Sequence, residues 1–411
     1  MGEPKLRFKA DDGSDFSGWE EKTLGELCAP LTYGLNAAAT KFDGENRYIR
    51  ITDIDDETHA LLPNDIVSPS GELDDKYLVK KGDILLARTG ASTGKSYLYH
   101  PKDGKLFYAG FLIKAHVLPS SDDYFIYSQT LTDRYGKWVK TTSMRSGQPG
   151  INANEYASYS FAVPSLPEQR KIADFLSAVD AVIAAQQAEV DAWEQRKKGV
   201  MQKLFSQEVR FKADDGSEFP AWESATVGEL FTFVTEKNKD GHINNVITNS
   251  AERGLVPQRE YFDKDIAVDG NTKGYTVIRK GDFVYNPRKS TSAPFGPFNI
   301  YERNEVGIVS PLYTCLTPYD DEMAPYLAWY FKTNRWHPYI VTHGAQSGAR
   351  HDRVGMTVAL MEGIPVLLPS LPEQRKIADC LASMDEVIQK SKGELAKWRE
   401  LKKGLLQQMF V

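Results

Sequence analysis

The sequence predicts an α+β protein in which two mixed α/β domains are separated by two long helices that form an antiparallel coiled coil with pseudo-twofold symmetry. Three observations lead to this prediction. A stretch of 40 residues occurs twice, each copy carries a heptad pattern of apolar residues, and the segments before the copies alternate short β-rich runs with turns. The expected domains are 1–165 and 206–370, and the expected helices are 166–205 and 371–411.

The repeated stretch begins with residues that favour a helix start. Residues 166–205 and 371–410 align without a gap at an offset of 205 residues, with 20 of 40 positions identical. A serine, Ser165 or Ser370, stands three residues before a glutamate in each copy. This is the spacing of a capping box, in which both side chains bind backbone N–H groups of the first helical turn. We therefore expect helices that begin near residues 167 and 372.

Both copies then show the alternating spacing of four and three residues that is typical of a coiled-coil seam. Polar residues interrupt the seam at the same two places, Gln186 with Ser391 and Lys197 with Lys402, and we interpret them as residues that fix the register. An amphipathic helix of this length, about 60 Å, cannot bury its apolar stripe alone. Each helix is expected to pair with the other copy; the alternative is two independent surface helices. The expected seam residues are Ile172, Leu176, Val179, Ile183, Val190, Trp193, Ile377, Leu381, Met384, Ile388, Leu395 and Trp398.

The duplication also covers the edges of the two domains. Arg7–Ser14 returns as Arg210–Ser217, and a Lys-Gly-Asp triplet followed by a strand-like run begins at Lys81 and at Lys280. Between these edges the two domains differ in sequence. One helix is expected in each, and the expected strands are 48–54, 77–79, 84–87, 96–99, 111–118 and 159–163, then 275–278, 283–285 and 307–316, with the helices at 122–138 and 321–333.

Composition limits the classes of function. The chain is 41% hydrophobic and 26% charged, has no apolar run long enough to span a membrane, and contains only three cysteines, so we expect a cytoplasmic protein with no membrane partner. The net charge is −6, and each domain is near −4, with 19 basic against 23 acidic residues in 1–165 and 17 against 21 in 206–370. Nucleic-acid binding must then come from local basic loops or be shared with a more basic partner.

Motifs for catalysis are incomplete. The run Gly90–Ser96 is one residue short of a phosphate-binding P-loop, and the residues after it do not favour a helix, so Lys95 and Arg88 are better interpreted as partners of a nucleic-acid phosphate or as part of a plain surface loop. Tyr285-Asn-Pro-Arg288 contains only half of an adenine-methyltransferase motif. The seven histidines show no paired ligand spacing. No catalytic, cofactor or metal site is therefore expected in this chain.

Two stretches are candidates for DNA contact. Arg134–Asn154 holds four basic residues and no acid, and Arg335–Arg353 in the second domain is again basic with aromatic residues interleaved. Such side chains contact phosphates and base edges, although a charge run is often only a solvated helix face. Because the two stretches occupy matching places, we favour DNA contact. The candidate residues are Arg88, Thr89, Ser92, Lys95, Lys137, Lys140, Arg145, Ser146, Gln148 and Asn152, then Arg288, Lys289, His343, Gln346, Arg350, His351 and Arg353.

With these features the sequence resembles the specificity (S) subunit of type I restriction-modification systems. The resemblance lies in the doubled Pro-Ser-Leu-Pro-Glu-Gln-Arg-Lys-Ile-Ala-Asp stretches, the Arg-Phe-Lys and Lys-Gly-Asp runs, and Ser146–Asn152. It implies two target-recognition domains that each read one half of a bipartite double-stranded DNA target, with the helices setting the gap. It also implies two methyltransferase (M) subunits that use S-adenosylmethionine, and restriction (R) subunits that use ATP and Mg, around a non-catalytic S subunit.

The second domain departs from the pattern that carries the resemblance. Residues 347–352 lack the Gln-Pro of the first domain, which together with the different domain sequences predicts an asymmetric target. Two other functions stay open at this point. The chain could be an assembly adaptor without base readout, or a stand-alone DNA-modifying enzyme.

Overall fold

The computed structural model describes residues 4–144, 148–261, 272–344 and 352–410. The chain divides into two compact units, residues 1–188 with 392–411 (unit 1) and residues 189–391 (unit 2). Each unit holds one globular domain together with the first part of one long helix and the last part of the other.

Strands β1–β10 of unit 1 are short. Their bounds are, in order, Glu20–Thr23, Thr32–Tyr33, Ala39–Lys41, Arg47–Ile49, Val67–Pro69, Asp83–Ala87, Ser96–Leu98, Leu106–Tyr108, Leu112–His116 and Ser160–Val163. Helices α1–α5 span Leu24–Leu27, Asp123–Gln129, Asp133–Ser143, Ala153–Ala157 and Leu166–Phe205, the last being the first long helix. Four 3-10 turns cover Ile51–Asp53, Asp75–Tyr77, Gly90–Ser92 and Pro101–Asp103.

Unit 2 continues the numbering. Strands β11–β20 span Glu223–Thr226, Phe231–Phe233, Val246–Ser250, Gly254–Pro257, Thr276–Ile278, Phe283–Tyr285, Phe298–Ile300, Gly307–Val309, Thr314–Pro318 and Pro365–Leu368. Helices α6–α11 span Val227–Leu230, Gln258–Tyr261, Ala324–Tyr330, His337–His343, Val358–Glu362 and Leu371–Met409, with a 3-10 turn at Asp321–Met323. The second long helix, α11, reaches from unit 2 into unit 1.

The two domains share a sheet topology although their sequences differ. Unit 1 contains an antiparallel sheet of order β2-β9-β6-β7, and unit 2 repeats it as β12-β19-β16-β17. The strand after each Lys-Gly-Asp triplet, β6 or β16, is central in its sheet and fully buried. A second small sheet pairs the first and last strands of each domain, β1 with β10 and β11 with β20. These pairings place the end of each domain beside its beginning, directly before a long helix.

The long helices pair antiparallel within each unit. In unit 1 the start of α5 and the end of α11 lie in one core with Ile172, Leu176 and Met409, while Lys402 Nζ lies 2.7 Å from Asp180 Oδ1. Unit 2 repeats the arrangement with an ion pair between Lys197 and Asp385, and the two pairs are related by the 205-residue offset of the sequence repeat. The prediction of an antiparallel pair is therefore confirmed, and independent surface helices are excluded.

Seam burial follows the heptad pattern closely. Nine of the twelve expected seam residues are buried, and Ile183, Trp193 and Trp398 are half-buried. The two seam lysines bind aspartates of the opposite helix, as expected for residues that fix register. Gln186 differs from that expectation because its amide oxygen is buried with no hydrogen-bond partner.

The capping-box prediction is wrong. Glu168, which has no exposed surface, accepts hydrogen bonds from Arg7 Nε at 3.0 Å and Arg7 Nη2 at 2.9 Å. Glu373 binds Arg210 in the same way, at 3.0 and 2.6 Å, and the hydroxyl of Ser370 is buried without a partner. Each glutamate therefore anchors the Arg-Phe-Lys segment to a long helix, and a long-range charged partner replaces the local cap.

Several expected elements are divided by turns. The helix expected over 122–138 is interrupted because Thr132 caps a new helix, its hydroxyl accepting from Tyr135 N at 3.2 Å. The expected strand 307–316 is two strands separated by a turn at Ser310–Tyr313, and the helix expected over 321–333 begins as a 3-10 turn and ends at Tyr330. The expected strand 48–54 consists of the end of β4, a 3-10 turn at Ile51–Asp53 and an isolated bridge at Ile54. The expected strand 77–79 begins where a 3-10 turn ends, at Tyr77, and Leu78 forms an isolated bridge.

Candidate nucleic-acid interface

In unit 1 the structure brings together two loops that are distant in sequence. The loop after β6, residues 88–93, lies against residues 148–152, with Gly90 N donating to Pro149 O at 3.0 Å and Ile151 N donating to Arg88 O at 2.9 Å. Thr89 and Gly150 form an antiparallel bridge. Candidate residues from both loops thus share one surface, which we call junction 1, defined by residues 88–93 and 148–152.

Two buried tyrosines hold the base of junction 1. Tyr156 donates its hydroxyl hydrogen to Ala87 O at 2.6 Å and accepts from Gly94 N at 3.1 Å, and Tyr135 donates to Gly94 O at 2.9 Å. Burial raises the pKa of both tyrosines, so both hydroxyls stay protonated and able to donate. The sequence analysis missed them because isolated tyrosines carry no motif.

The glycines of junction 1 allow close packing inside the protein. Gly94 has a positive φ of 92°, and a Cβ there would lie 2.6 Å from Val139 Cγ1 of helix α3. Gly90, at φ 73°, approaches the amide nitrogen of Gln148. Only glycine adopts these conformations without strain. The Gly-Ala-Ser-Thr-Gly run therefore fits a tight turn between two protein segments, and β7 follows it where a P-loop would require a helix.

The side chain of Arg88 stacks on an aromatic ring. Its guanidinium carbon lies 4.8 Å from the ring centroid of Tyr33, a cation–π distance, and its Nη1 lies 3.4 Å from Gly110 O. The Tyr33 hydroxyl in turn accepts from Ala153 N at 3.1 Å. Tyr33 is 42% exposed, so it belongs to the same surface as Arg88. Stacking fixes the orientation of a long cationic side chain, which favours a specific contact over a diffuse one.

Two first-domain candidates have structural roles. The side chain of Lys95 is only 10% exposed; its Nζ donates to Ile54 O at 2.9 Å and forms an ion pair with Asp56. Asn152 caps helix α4, its Oδ1 accepting from Glu155 N at 2.9 Å. Both residues would have to break internal bonds to reach DNA, and their assignment as DNA contacts stays a prediction.

The other first-domain candidates divide by position. Lys137 and Lys140 are exposed on helix α3, whose opposite face buries Tyr135 and Val139 against the domain core. Gln148 is exposed, and Thr89 and Ser92 are half-buried in junction 1. Arg145 and Ser146 lie outside the described residues.

Unit 2 repeats the arrangement with different residues. Arg288 and Arg353 form an antiparallel bridge, Lys289 N donates to Asp352 O at 2.9 Å, and Val354 N donates to Pro287 O at 2.8 Å. We call this surface junction 2, defined by residues 287–293 and 352–354. It occupies the place of junction 1, after the strand of the Lys-Gly-Asp run and before the last short helix of the domain.

A network of asparagines supports the loop of junction 2. Asn249, 3% exposed, donates from Nδ2 to Val284 O at 2.7 Å and accepts at Oδ1 from Asn299 Nδ2 at 2.7 Å. Asn286 donates to Asn249 O at 3.1 Å and accepts from Arg288 N at 3.0 Å. Satisfied buried polar networks make a local structure rigid and unique. The network therefore fixes the backbone from which Arg288 and Lys289, both exposed, project.

The remaining second-domain candidates differ in exposure. Arg353 is 26% exposed and its Nε is buried, 3.7 Å from Asp352 Oδ2, so the junction holds much of this side chain. His343 is exposed at the end of α9, with its ring stacked on Tyr339 at a centroid distance of 4.4 Å. Gln346, Arg350 and His351 lie outside the described residues.

Within the described ranges of the chain, none of the helices combines the length and the apolar character that a membrane-spanning segment needs. Nor do three or more His, Cys, Asp or Glu side chains gather within these ranges as a metal site would require.

Comparison with known proteins identifies similar sequences. Residues 17–192 match the family model of the type I restriction modification DNA specificity domain. The putative type I restriction enzyme MjaX specificity subunit of Methanocaldococcus jannaschii is 23% identical over 424 residues, covering 97% of this chain and 94% of the relative. The type I restriction enzyme MjaVIII specificity subunit of the same organism is 28% identical over 165 residues, covering 39% and 38% of the two chains.

Solved structures agree in fold. The S subunit of a type I restriction-modification system from M. genitalium superposes with a TM-score of 0.56 at 16% identity, covering 100% of this chain and 99% of the other. A chain from a study of complex assembly and conformational transition of the type I R-M system also gives 0.56, at 17% identity, covering 95% and 97%. By the family match over residues 17–192 and the relative matched along nearly its whole length, the chain is similar to the specificity subunits of type I restriction-modification systems, and it shares the fold of the solved S subunit.

Proposed function

We propose that this chain is the specificity subunit of a type I restriction-modification system and reads an asymmetric, bipartite DNA target, with the domain of unit 1 reading one half-site and the domain of unit 2 the other. The observation that carries the proposal is the recurrence of one supporting geometry. Both domains extend the strand after Lys-Gly-Asp into a loop that bridges to the segment before the last short helix. Junction 1 contains one basic residue, Arg88, whereas junction 2 contains Arg288, Lys289 and Arg353, and this difference supports two different half-sites.

The two surfaces would contact DNA through few but well-oriented groups. Arg88, stacked on Tyr33, and Arg288, held above the asparagine network, are the side chains best placed for a guanine base edge. Lys137 and Lys140 lie exposed beside junction 1 and suit phosphate contacts. Because the whole chain carries a net charge of −6, tight binding would need cationic surface from partner subunits.

The partners in this proposal are two methyltransferase subunits docked on the chain and restriction subunits recruited through the complex. Methyl transfer from S-adenosylmethionine and ATP-dependent cleavage with Mg would take place in those partners. The chain itself would contribute recognition and assembly.

Salt-dependent titration of duplexes tests the proposal. Short duplexes carrying the methylated sequence should bind the chain together with its methyltransferase subunits far more tightly than the chain alone, and the affinity should fall steeply with salt. Replacing Arg88 or Arg288 with Ala should weaken binding by about 1–3 kcal/mol and relax the base preference of one half-site only. Equal loss at both half-sites, or none, would contradict the assignment of one domain to each half.

A further inference from the structure

Unit 2 contains a cleft that plays no part in the proposed contacts with DNA. It lies between the last turns of α5 and the turn after α8, and its volume of about 580 Å³ falls within the range of ligand-binding clefts. Its lining contains four cations and no acidic residue: Lys197, Lys198, Met201, Gln202, Phe205, Ser206, Lys332, Thr333, Asn334 and Arg335.

Three of the four cations have no carboxylate within ion-pair distance in the described parts of the chain. Lys197 is paired with Asp385, whose charge also acts on Lys332 over a longer distance, whereas no carboxylate of the described residues lies within ion-pair distance of Lys198, Lys332 or Arg335. The amine of Lys332 instead lies 4.3 Å from the ring centroid of Trp329. Like charges held close together repel, so an anion entering the cleft would gain interactions that the protein does not supply.

Apolar side chains form part of the same cleft. Phe205 is 2% exposed and packs on Tyr326 at a ring-centroid distance of 5.7 Å, and Met201 is partly buried against the same core. A ligand that is both anionic and partly apolar would therefore match the lining better than a purely polar anion such as a phosphate.

The internal repeat provides a comparison site in unit 1. Thr132 and Thr333 occupy equivalent turns, since each donates its hydroxyl hydrogen to the carbonyl three residues earlier, at 2.8 and 2.6 Å. By this alignment Leu131 replaces Lys332, and Asp133 replaces Asn334. Gln407 Nε2, equivalent to Gln202, donates to Asp133 Oδ2 at 3.0 Å, a bond that Gln202 and Asn334 do not form.

The charge difference between the two sites is large. In unit 2 the lining carries Lys197, Lys198, Lys332 and Arg335, a total of +4. The equivalent unit 1 residues are Lys402, Lys403, Arg134 and Asp133, which total 3 − 1 = +2, and Arg134 lies 3.3 Å from Glu21. The excess cationic charge is thus a property of the second copy, although the helix repeat around it is conserved between the two copies.

We propose that this cleft docks an acidic peptide segment that also carries an apolar side chain, donated by a protein partner. The carboxylates would bind Lys198, Lys332 and Arg335, and the apolar side chain would cover Met201. The proposal rests on the proposed function for the partner's identity, a methyltransferase subunit. Because unit 1 has only half the charge here, the two ends of the chain would present unequal docking sites.

The test uses the full chain and a fluorescein-labelled peptide of glutamate and leucine, followed by fluorescence anisotropy. The double variant Lys198→Glu with Arg335→Glu should weaken peptide binding at least about tenfold, equivalent to about 1.4 kcal/mol. The matched control, Lys403→Glu with Arg134→Glu, should leave it unchanged. All four residues are exposed, so we expect their replacement to leave the fold intact, and thermal unfolding of each variant checks this.

Further outcomes of the experiment distinguish failure of the docking proposal from failure of the proposed function. Equal weakening by the control pair, no peptide binding to the unmodified chain, or displacement of the peptide by inorganic phosphate or duplex DNA would overturn the docking proposal. If the peptide binds as expected but the complete complex shows no sequence-selective DNA binding, the proposed function fails while the cleft stands. If the complex reads DNA normally and the peptide does not bind, the cleft proposal alone fails.

Discussion

Replacing Arg7 with Met should destabilise unit 1 strongly. The substitution leaves the carboxylate of Glu168, which has no exposed surface, without the two hydrogen bonds of 3.0 and 2.9 Å that Arg7 donates. Removing one partner of a buried ion pair costs about 3–5 kcal/mol because the other charge remains buried. For a unit of this size, each kcal/mol lowers the melting temperature by about 2–4 °C, so we expect a decrease of about 6–20 °C.

The second copy supplies a matched comparison with a smaller expected effect. Arg210→Met removes the equivalent bonds to Glu373, but Trp222 Nε1 still donates to that carboxylate at 3.1 Å. In unit 1 the equivalent Trp19 Nε1 is buried without a partner. A hydrogen bond to a charged group contributes about 1.5–3 kcal/mol, and Arg210→Met should be milder than Arg7→Met by about that amount.

Differential scanning calorimetry of both variants measures these effects. Adding Glu168→Gln to Arg7→Met removes the buried charge and should restore part of the lost stability, whereas Glu168→Gln alone should destabilise; this double-mutant cycle isolates the pair. Equal melting shifts for Arg7→Met and Arg210→Met, or a loss below about 1 kcal/mol for Arg7→Met, would refute the view that these glutamates depend on their arginines.

Three further predictions concern loop support, pH and length. Asn249→Leu removes the centre of the asparagine network, so methylome sequencing should show an altered second half-site and an unchanged first one; a change in both would contradict the proposed division. Burial lowers the pKa of His59, so its contribution to stability is present above pH about 6.5 and is lost as the pH falls, and His59→Asn, which tolerates the observed φ of 58°, should flatten the pH dependence of urea unfolding between pH 7 and about 5. Inserting two helical turns at matched places in α5 and α11 lengthens each by about 10 Å and should widen the unread gap by about three base pairs without changing either half-site; an unchanged gap would show that the helices do not set it.

The sequence was most informative where a pattern repeats along one element. The long helices begin at Leu166 and Leu371, as expected from the repeat, and the heptad pattern identified most of the buried seam. The Lys-Gly-Asp runs correctly marked strands β6 and β16, because an uninterrupted apolar run after a turn is typical of a central strand.

Residue roles that depend on distant partners were harder to predict. Lys95 is basic and lies in a glycine-rich loop, yet Asp56 and Ile54 O hold it inside the domain. Asn152 stands three residues before Glu155, a spacing that indicates a helix cap and was interpreted as DNA contact instead. Arg7 and Glu168 are 161 residues apart, and only their joint recurrence as Arg210 and Glu373 could have suggested that they bind each other.

The phenylalanines that end the long helices make the two halves of the sequence interdependent. Phe410 packs on Phe125 in the core of unit 1, and Phe205 packs on Tyr326 in the core of unit 2. Each core is thus completed by an aromatic ring encoded in the opposite half of the chain. A fragment ending at residue 205 would lack Phe410, which completes the core of its own domain. It would still carry Phe205, which could complete the core of a second fragment. Two such fragments could dimerise by exchanging their long helices, so that each supplies the phenylalanine that completes the core of the other. A single ancestral half could have folded as such a dimer before duplication joined two halves in one chain.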